Sequence, residues 1–168
     1  GMDEACYRLE KIKNRKGIIV GFDADSRCQK NYLRAIEDHF RVYSKSPAAS
    51  IHFEHPTIGV DYEDTVYEAI VAYELHLRYY VHAQRYAGFP LAVQTIGSSM
   101  AVRCDAYQQQ GGMNRRKAGE DFYFLHKFTA LGYYTQINTT TVCPSPRISD
   151  RVPFGTGKAV GEIVAGKA

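Results

Sequence analysis

Ile18-Ile19-Val20-Gly21-Phe22-Asp23-Ala24-Asp25 is a run of apolar and small residues that ends in two carboxylates one residue apart. Such a run reads as a buried strand, and in an α/β sheet the carboxyl ends of strands are where ligands collect. Two acidic side chains at that place suit Mg²⁺ or Mn²⁺ holding a phosphate. The same triplet also fits a turn in which Asp23 or Asp25 caps the helix that follows. The residues alone leave both readings open.

Outward from this strand the chain alternates. Asp3 to Asn14 reads as a short amphipathic helix with Cys6 or Tyr7, Leu9 and Ile12 on one side. Gln29 to Tyr43 carries Tyr32, Leu33, Ile36, Phe40 and Tyr43 at helical spacing, and Ala48 to Phe53 reads as a strand. This alternation predicts an α/β sheet with parallel pairing. Thr65 to Tyr86 is the longest helical stretch, with Val66, Ala69, Ile70, Tyr73, Leu77 and Tyr80 on one stripe and Asp61 or Asp64 available as a cap. Leu91 to Arg103 reads as a strand interrupted at Gly97-Ser98-Ser99, and Cys104 to Gln110 as a short helix stopped by Gly111-Gly112. Glu120 to Leu131 is helical, Tyr133 to Ile137 and Thr140 to Cys143 are short strands, and residues 144–168 form a tail expected to be mobile.

At 168 residues the chain fits a single domain, residues 1–168, and 45% hydrophobic with 23% charged residues is ordinary for a globular protein. The apolar runs are far shorter than the roughly 20 residues that cross a bilayer, and no signal-peptide core is present, so a soluble, cytoplasmic protein is expected. Gly1 before Met2 reads as a tag-cleavage remnant. Cys6, Cys28, Cys104 and Cys143 are scattered without a C-x-x-C pair and read as free thiols. A net charge of +3 is mild, and Arg115-Arg116-Lys117, the one tight basic run, reads as a solvated loop, so nucleic acid is not an expected partner. His52-Phe53-Glu54-His55 has the wrong order for a zinc helix motif.

A second acidic feature is Gly119-Glu120-Asp121, two carboxylates on the first turn of a helix. Helix-dipole chemistry alone accounts for acidic residues there. The functional reading is that Asp121, kept at low pKa by the helix amino end, takes a proton from a substrate hydroxyl.

In order along the chain stand the strand to Asp23-Ala24-Asp25, Gly97-Ser98-Ser99-Met100-Ala101-Val102-Arg103, Gly111-Gly112, and Gly119-Glu120-Asp121-Phe122. This order and spacing resemble glycosyltransferase family 2, of the GT-A fold, over Gly17 to Tyr134. The resemblance implies a partial GT-A α/β fold, a mixed sheet flanked by helices. It implies a metal-dependent, inverting transfer of sugar from a nucleotide-diphospho-sugar to an acceptor hydroxyl on a glycan or a lipid-linked acceptor. Asp23 would face the nucleoside of the donor, and Asp25 would be the ligand of the Mg²⁺ or Mn²⁺ that bridges its diphosphate. Asp121 would be the general base and Glu120 would shape the acceptor pocket. Gly97 and Ser98 would let the backbone pass close to the donor sugar. Apart from the resemblance, Arg147, Arg151 and Lys158 lie among Ser, Pro and Gly, where a loop could close over donor phosphates; a solvated basic tail accounts for them equally well.

Family 2 domains open with two βαβ units and a Pro-x-Tyr/Phe-Asn turn that hold the nucleotide, whereas here one helix precedes the Asp23-Ala24-Asp25 strand. The chain is therefore expected to be the carboxyl portion of a transferase, inactive alone if the donor needs the rest. A sheet edge bared in this way would favour a homodimer, and association with a membrane surface at its inner face is a further expected partnership. Two other readings compete. One is a glycosyltransferase-like module that binds without turnover; the other is a D-x-D phosphatase, against which Arg27 stands where that family has Thr or Val.

Overall fold

The computed structural model describes residues 1–113 and 119–167. Among them are α1 (Met2–Lys11), β1 (Ile18–Gly21), β2 (Arg27–Cys28), α2 (Tyr32–Val42), β3 (Ala48–Phe53), α3 (Asp64–Tyr86), β4 (Met100–Arg103), α4 (Cys104–Gln109), α5 (Glu120–Thr129), β5 (Thr135–Cys143) and α6 (Thr156–Val164). They pack as two compact units. One comprises Gly1–Phe53 with Thr95–Val142, the other Glu54–Gln94 with the residues from Cys143 onward.

The first unit is built on a five-stranded sheet in the order β1-β4-β3-β5-β2. This mixed α/β architecture, with α1 and α4 packed against β1 and β4, is the one expected of a partial GT-A fold. The pairing differs from the parallel sheet that the helix-strand alternation predicts. β4 runs antiparallel between β1 and β3, pairing Ile19 with Val102 on one side and Ala49 with Ala101 on the other, while β3 and β5 run parallel. The alternation rule looks at neighbours in sequence, while the gap between β1 and β3 is filled by a strand that arrives much later. β3 lies in the interior of the sheet, and its Ala48, Ala49, Ser50, Ile51 and Phe53 are all buried, which is why it reads as a near-continuous run of small and apolar residues.

The two strands expected at Tyr133–Ile137 and Thr140–Cys143 are one strand with an irregularity. Ile51 pairs with Ile137, but His52 pairs with Thr141. Asn31 holds the extra residues: its side-chain amide donates to the Thr139 carbonyl at 2.9 Å, and its carbonyl accepts from the Thr140 hydroxyl at 3.0 Å. A side chain outside the sheet thus satisfies backbone that the ladder leaves unpaired.

α2 is shorter than the predicted Gln29–Tyr43, and Leu33, expected inside, is 74% exposed while Ala35 is buried. Arg103 ties this helix to the sheet. Its guanidinium donates to the Phe40 carbonyl at 2.6 Å and to the Ser46 carbonyl at 2.9 Å, so it satisfies a carbonyl in the last helical turn. The core beneath gathers Ile19, Met100, Val102, Phe124, Leu125 and Phe128 with Cys6 and Cys104. All four cysteines are free thiols, as expected. Burial pushes the Cys104 thiol up to about 12, so it is inert packing rather than a nucleophile.

In the second unit α6 packs on α3, with Val160 wholly buried among Val66, Ala69 and Ile70. The stretch from Pro144, expected as a mobile tail, therefore contains a helix with a buried anchor. Along α3 the expected core stripe is buried through Ile70, whereas Tyr80 faces solvent. No side chain caps α3, whose N-cap is Glu63. His55 is fully buried in this unit, with its backbone N–H and its Nδ1 both on Glu74 at 2.8 and 2.6 Å. Burial opposes charge on Glu74, but the bonds from His55 and Arg78 outweigh it and hold the carboxyl down to about 2. The His52–His55 stretch thus supplies a buried hydrogen-bonded contact between His55 and Glu74.

Phe124 is wholly buried between Tyr107 and Phe128, with ring centroids 5.6 and 4.9 Å away. Its truncation to Ala should lower stability by about 3–5 kcal/mol. Chemical denaturation of Phe124→Ala measures this; a loss below 1 kcal/mol would show that the site can collapse.

Candidate active site

β1 ends at Gly21 and the chain turns at once. The Ser26 N–H donates to the Asp23 carbonyl at 3.0 Å, which closes a tight turn over Asp23-Ala24-Asp25 and leaves both carboxylates exposed. No helix begins directly at this turn, because β2 follows it, so the capping alternative for these aspartates is not realised.

Gly21 and Gly97 meet across the entry to β4. A Cβ on Gly21 would overlap the Gly97 carbonyl oxygen, so only glycine allows this approach. Gly97 in turn donates its N–H to the Asp121 carboxylate. A Cβ on Gly97 would stand 3.1 Å from Asp121 Oδ2 and 3.4 Å from its Cβ. Three segments distant in sequence, the end of β1, the 97–99 turn and the first turn of α5, thus converge on one carboxylate.

Gly119 opens α5 in the left-handed conformation, with φ of 72°. No side chain caps the helix, and the Phe122 N–H instead donates to Asp121 Oδ1 at 2.8 Å. The helix end was expected to keep the Asp121 pKa low. It is raised, because burial outweighs the bonds from Phe122, Gly97 and its own amide, and the neighbouring Glu120 charge adds to the rise. Glu120 is half-buried beside it.

Ser98 is buried, and so is Ser99, which is 1% exposed with a hydroxyl that has no hydrogen-bond partner. Ser26, at the close of the aspartate turn, also holds a buried, unpartnered hydroxyl. Arg147, Arg151 and Lys158 belong to the second unit, where Lys158 is 3.1 Å from Asp150 and 3.7 Å from Glu162. The structure brings Gly97 and Asp121 together and pairs Lys158 with carboxylates of its own unit. Arg115-Arg116-Lys117 lies outside the described residues.

Two contributors were not legible as site residues. Gly21 carries a signal, a glycine inside an apolar strand, which marks a close backbone approach. Lys127 carries none: its ammonium donates to the Gln110 and Gly112 carbonyls at 3.0 and 3.1 Å and so pins the Gly111-Gly112 turn to α5.

Among the described residues no three His, Cys, Asp or Glu side chains cluster to hold a metal. The exposed Asp23 and Asp25 carboxylates at the turn are of the kind that fits the other mode, in which Mg²⁺ is held by one or two carboxylates and by substrate phosphates.

The sequence profile of glycosyl transferase family group 2 matches residues 18–160, and the chain belongs to that family. Neither the curated proteins nor the solved structures contain a significant match. Membership supports a role in glycosyl transfer. No helix among the described residues is long and apolar enough to cross a membrane.

A carboxyl whose folded pKa is raised above its unfolded value of about 3.9 lowers stability as pH climbs through that interval. Asp121→Asn should therefore gain on the parent protein between pH 3.5 and pH 7. Denaturation at both pH values measures the difference, and an equal difference at both would contradict the burial argument.

Proposed function

We propose that this chain carries the acceptor-side and metal-side chemistry of a metal-dependent, inverting transferase that uses a nucleotide-diphospho-sugar. The observation that carries this reading is the convergence of Gly21, Gly97 and Asp121, which sets one half-buried carboxylate beside the strand that leads into Asp23-Ala24-Asp25.

Asp121 acts as general base. It accepts the proton of the acceptor hydroxyl as that oxygen bonds to the anomeric carbon and the bond to the diphosphate breaks on the opposite face. Partial burial makes Asp121 a stronger base than an exposed aspartate, and the Gly97 and Phe122 amides fix its direction. Glu120 shapes the acceptor side and raises the basicity of its neighbour. Asp25, with Asp23 facing the nucleoside, holds Mg²⁺ or Mn²⁺. That ion, when bound, offsets charge growing on the leaving diphosphate. Gly97 and Ser98 bound the donor sugar through backbone.

Calorimetry of the full protein with UDP should show heat that depends on Mn²⁺ and that is lost in Asp25→Asn. Asp121→Asn should abolish transfer while it leaves that heat intact, and the acid limb of the parent's pH-rate profile should lie above the usual carboxylate range. Retained transfer in Asp121→Asn would remove it as the base. UDP binding with no transfer to any acceptor would favour a binding module instead.

Gly97→Ala is a subtler probe. Its new Cβ presses on Asp121 at 3.1 Å without straining the backbone, so kcat should fall by about tenfold or more with UDP binding retained. Unchanged kcat would show that Asp121 tolerates displacement.

A further inference from the structure

Phe122 follows the proposed base directly and shares its helical turn. Its amide donates to the Asp121 carboxylate at 2.8 Å, so backbone and carboxylate form one fixed piece. Phe124 and Phe128 on the same helix are wholly buried, yet the Phe122 ring is 43% exposed. It is not loose. His126, one turn on, lies against it with ring centroids 4.1 Å apart and planes 34° from parallel, and Tyr123 meets it edge-on at 5.3 Å and 89°.

We propose that Phe122, backed by His126, is the platform on which the acceptor lies, and that the acceptor hydroxyl is carried by a sugar ring. This rests on the reading of Asp121 as base. The face of an aromatic ring is its negative side, and the C–H bonds across one face of a pyranose are weakly positive, so the two stack. A sugar stacked there presents hydroxyls around its rim, and one of them has to reach the carboxylate of the preceding residue. Helix and neighbouring rings fix the platform in advance, so little ordering is required on binding. Burial lowers the His126 pKa, which keeps the pair neutral near pH 7 and leaves no positive charge to favour an anionic ligand. Lys127, the nearest cation along the helix, is already held by the Gln110 and Gly112 carbonyls. An aromatic face whose ring neighbours, His126 and Tyr123, are aromatic themselves favours a C–H-rich ring.

The test uses the full protein and three probes, the methyl β-glycosides of glucose, galactose and mannose, observed by saturation-transfer NMR. At least one should receive saturation at its ring C–H protons. Phe122→Ala should weaken that probe's binding by about tenfold, and Phe122→Trp should keep it. UDP heat with Mn²⁺ should persist in both variants, which shows that they are folded. Absence of saturation for all three probes on the parent protein, or equal binding by Phe122→Ala, overturns the platform. So does loss in Phe122→Trp as complete as in Phe122→Ala. The base reading fails separately, through transfer retained in Asp121→Asn, so the two failures are distinguishable.

Discussion

The Asp121 carboxylate rests on the Gly97 amide, and the Gly97 carbonyl rests against Gly21. Everything around the site is conditioned by that stack. A side chain at Gly21 would push the 97–99 turn away from β1, and one at Gly97 would push Asp121 away from the turn. The segment that follows Gly97 is β4, the strand that bridges β1 and β3. The same backbone contact that positions the carboxylate therefore also fixes where the middle of the sheet begins. Site and sheet are not independently adjustable.

That coupling explains the commitment of residues that look functional in sequence but serve as ties. Arg103, the last residue of the Gly97–Arg103 segment, is spent on the carbonyls of Phe40 and Ser46. Lys127 is spent on the turn before α5, and Asn31 on the irregularity in β5. Each uses a polar side chain to satisfy carbonyls at a helix end, a turn or a bulge, where regular hydrogen bonding stops. The fixed frame that results lets a short strand of four residues carry a precise geometry.

Much of this was legible in the sequence. β3, α4 and the start of α5 fall where periodicity and glycine place them, because local pattern dominates there. The β1-β4-β3 order was not legible, since nothing in Ile18–Gly21 or Ala48–Phe53 announces that Met100–Arg103 will lie between them. Leu33 and Tyr80 misled for a different reason. Helical spacing names a face, but only the partner decides how far along the helix that face is covered. At the site, Asp121 could be picked out from its place in a Glu-Asp pair, yet its contact with Gly97 spans a separation that no spacing argument reaches.

The direction of the Asp121 shift shows why spacing also failed to predict its electrostatics. The helix amino end and three amides favour the charged form, and from sequence they are the visible terms. Burial is a tertiary term, invisible until Gly97 closes over the carboxylate, and it wins. The contrast with Asp23 and Asp25 follows from the same physics. Those side chains stand exposed on a turn, where hydration favours the charged form. Asp121 has surrendered part of its hydration, so protonation recovers energy that burial had withheld. One residue type thereby meets two electrostatic settings, and the difference is made by depth below the surface rather than by any difference in the residues themselves.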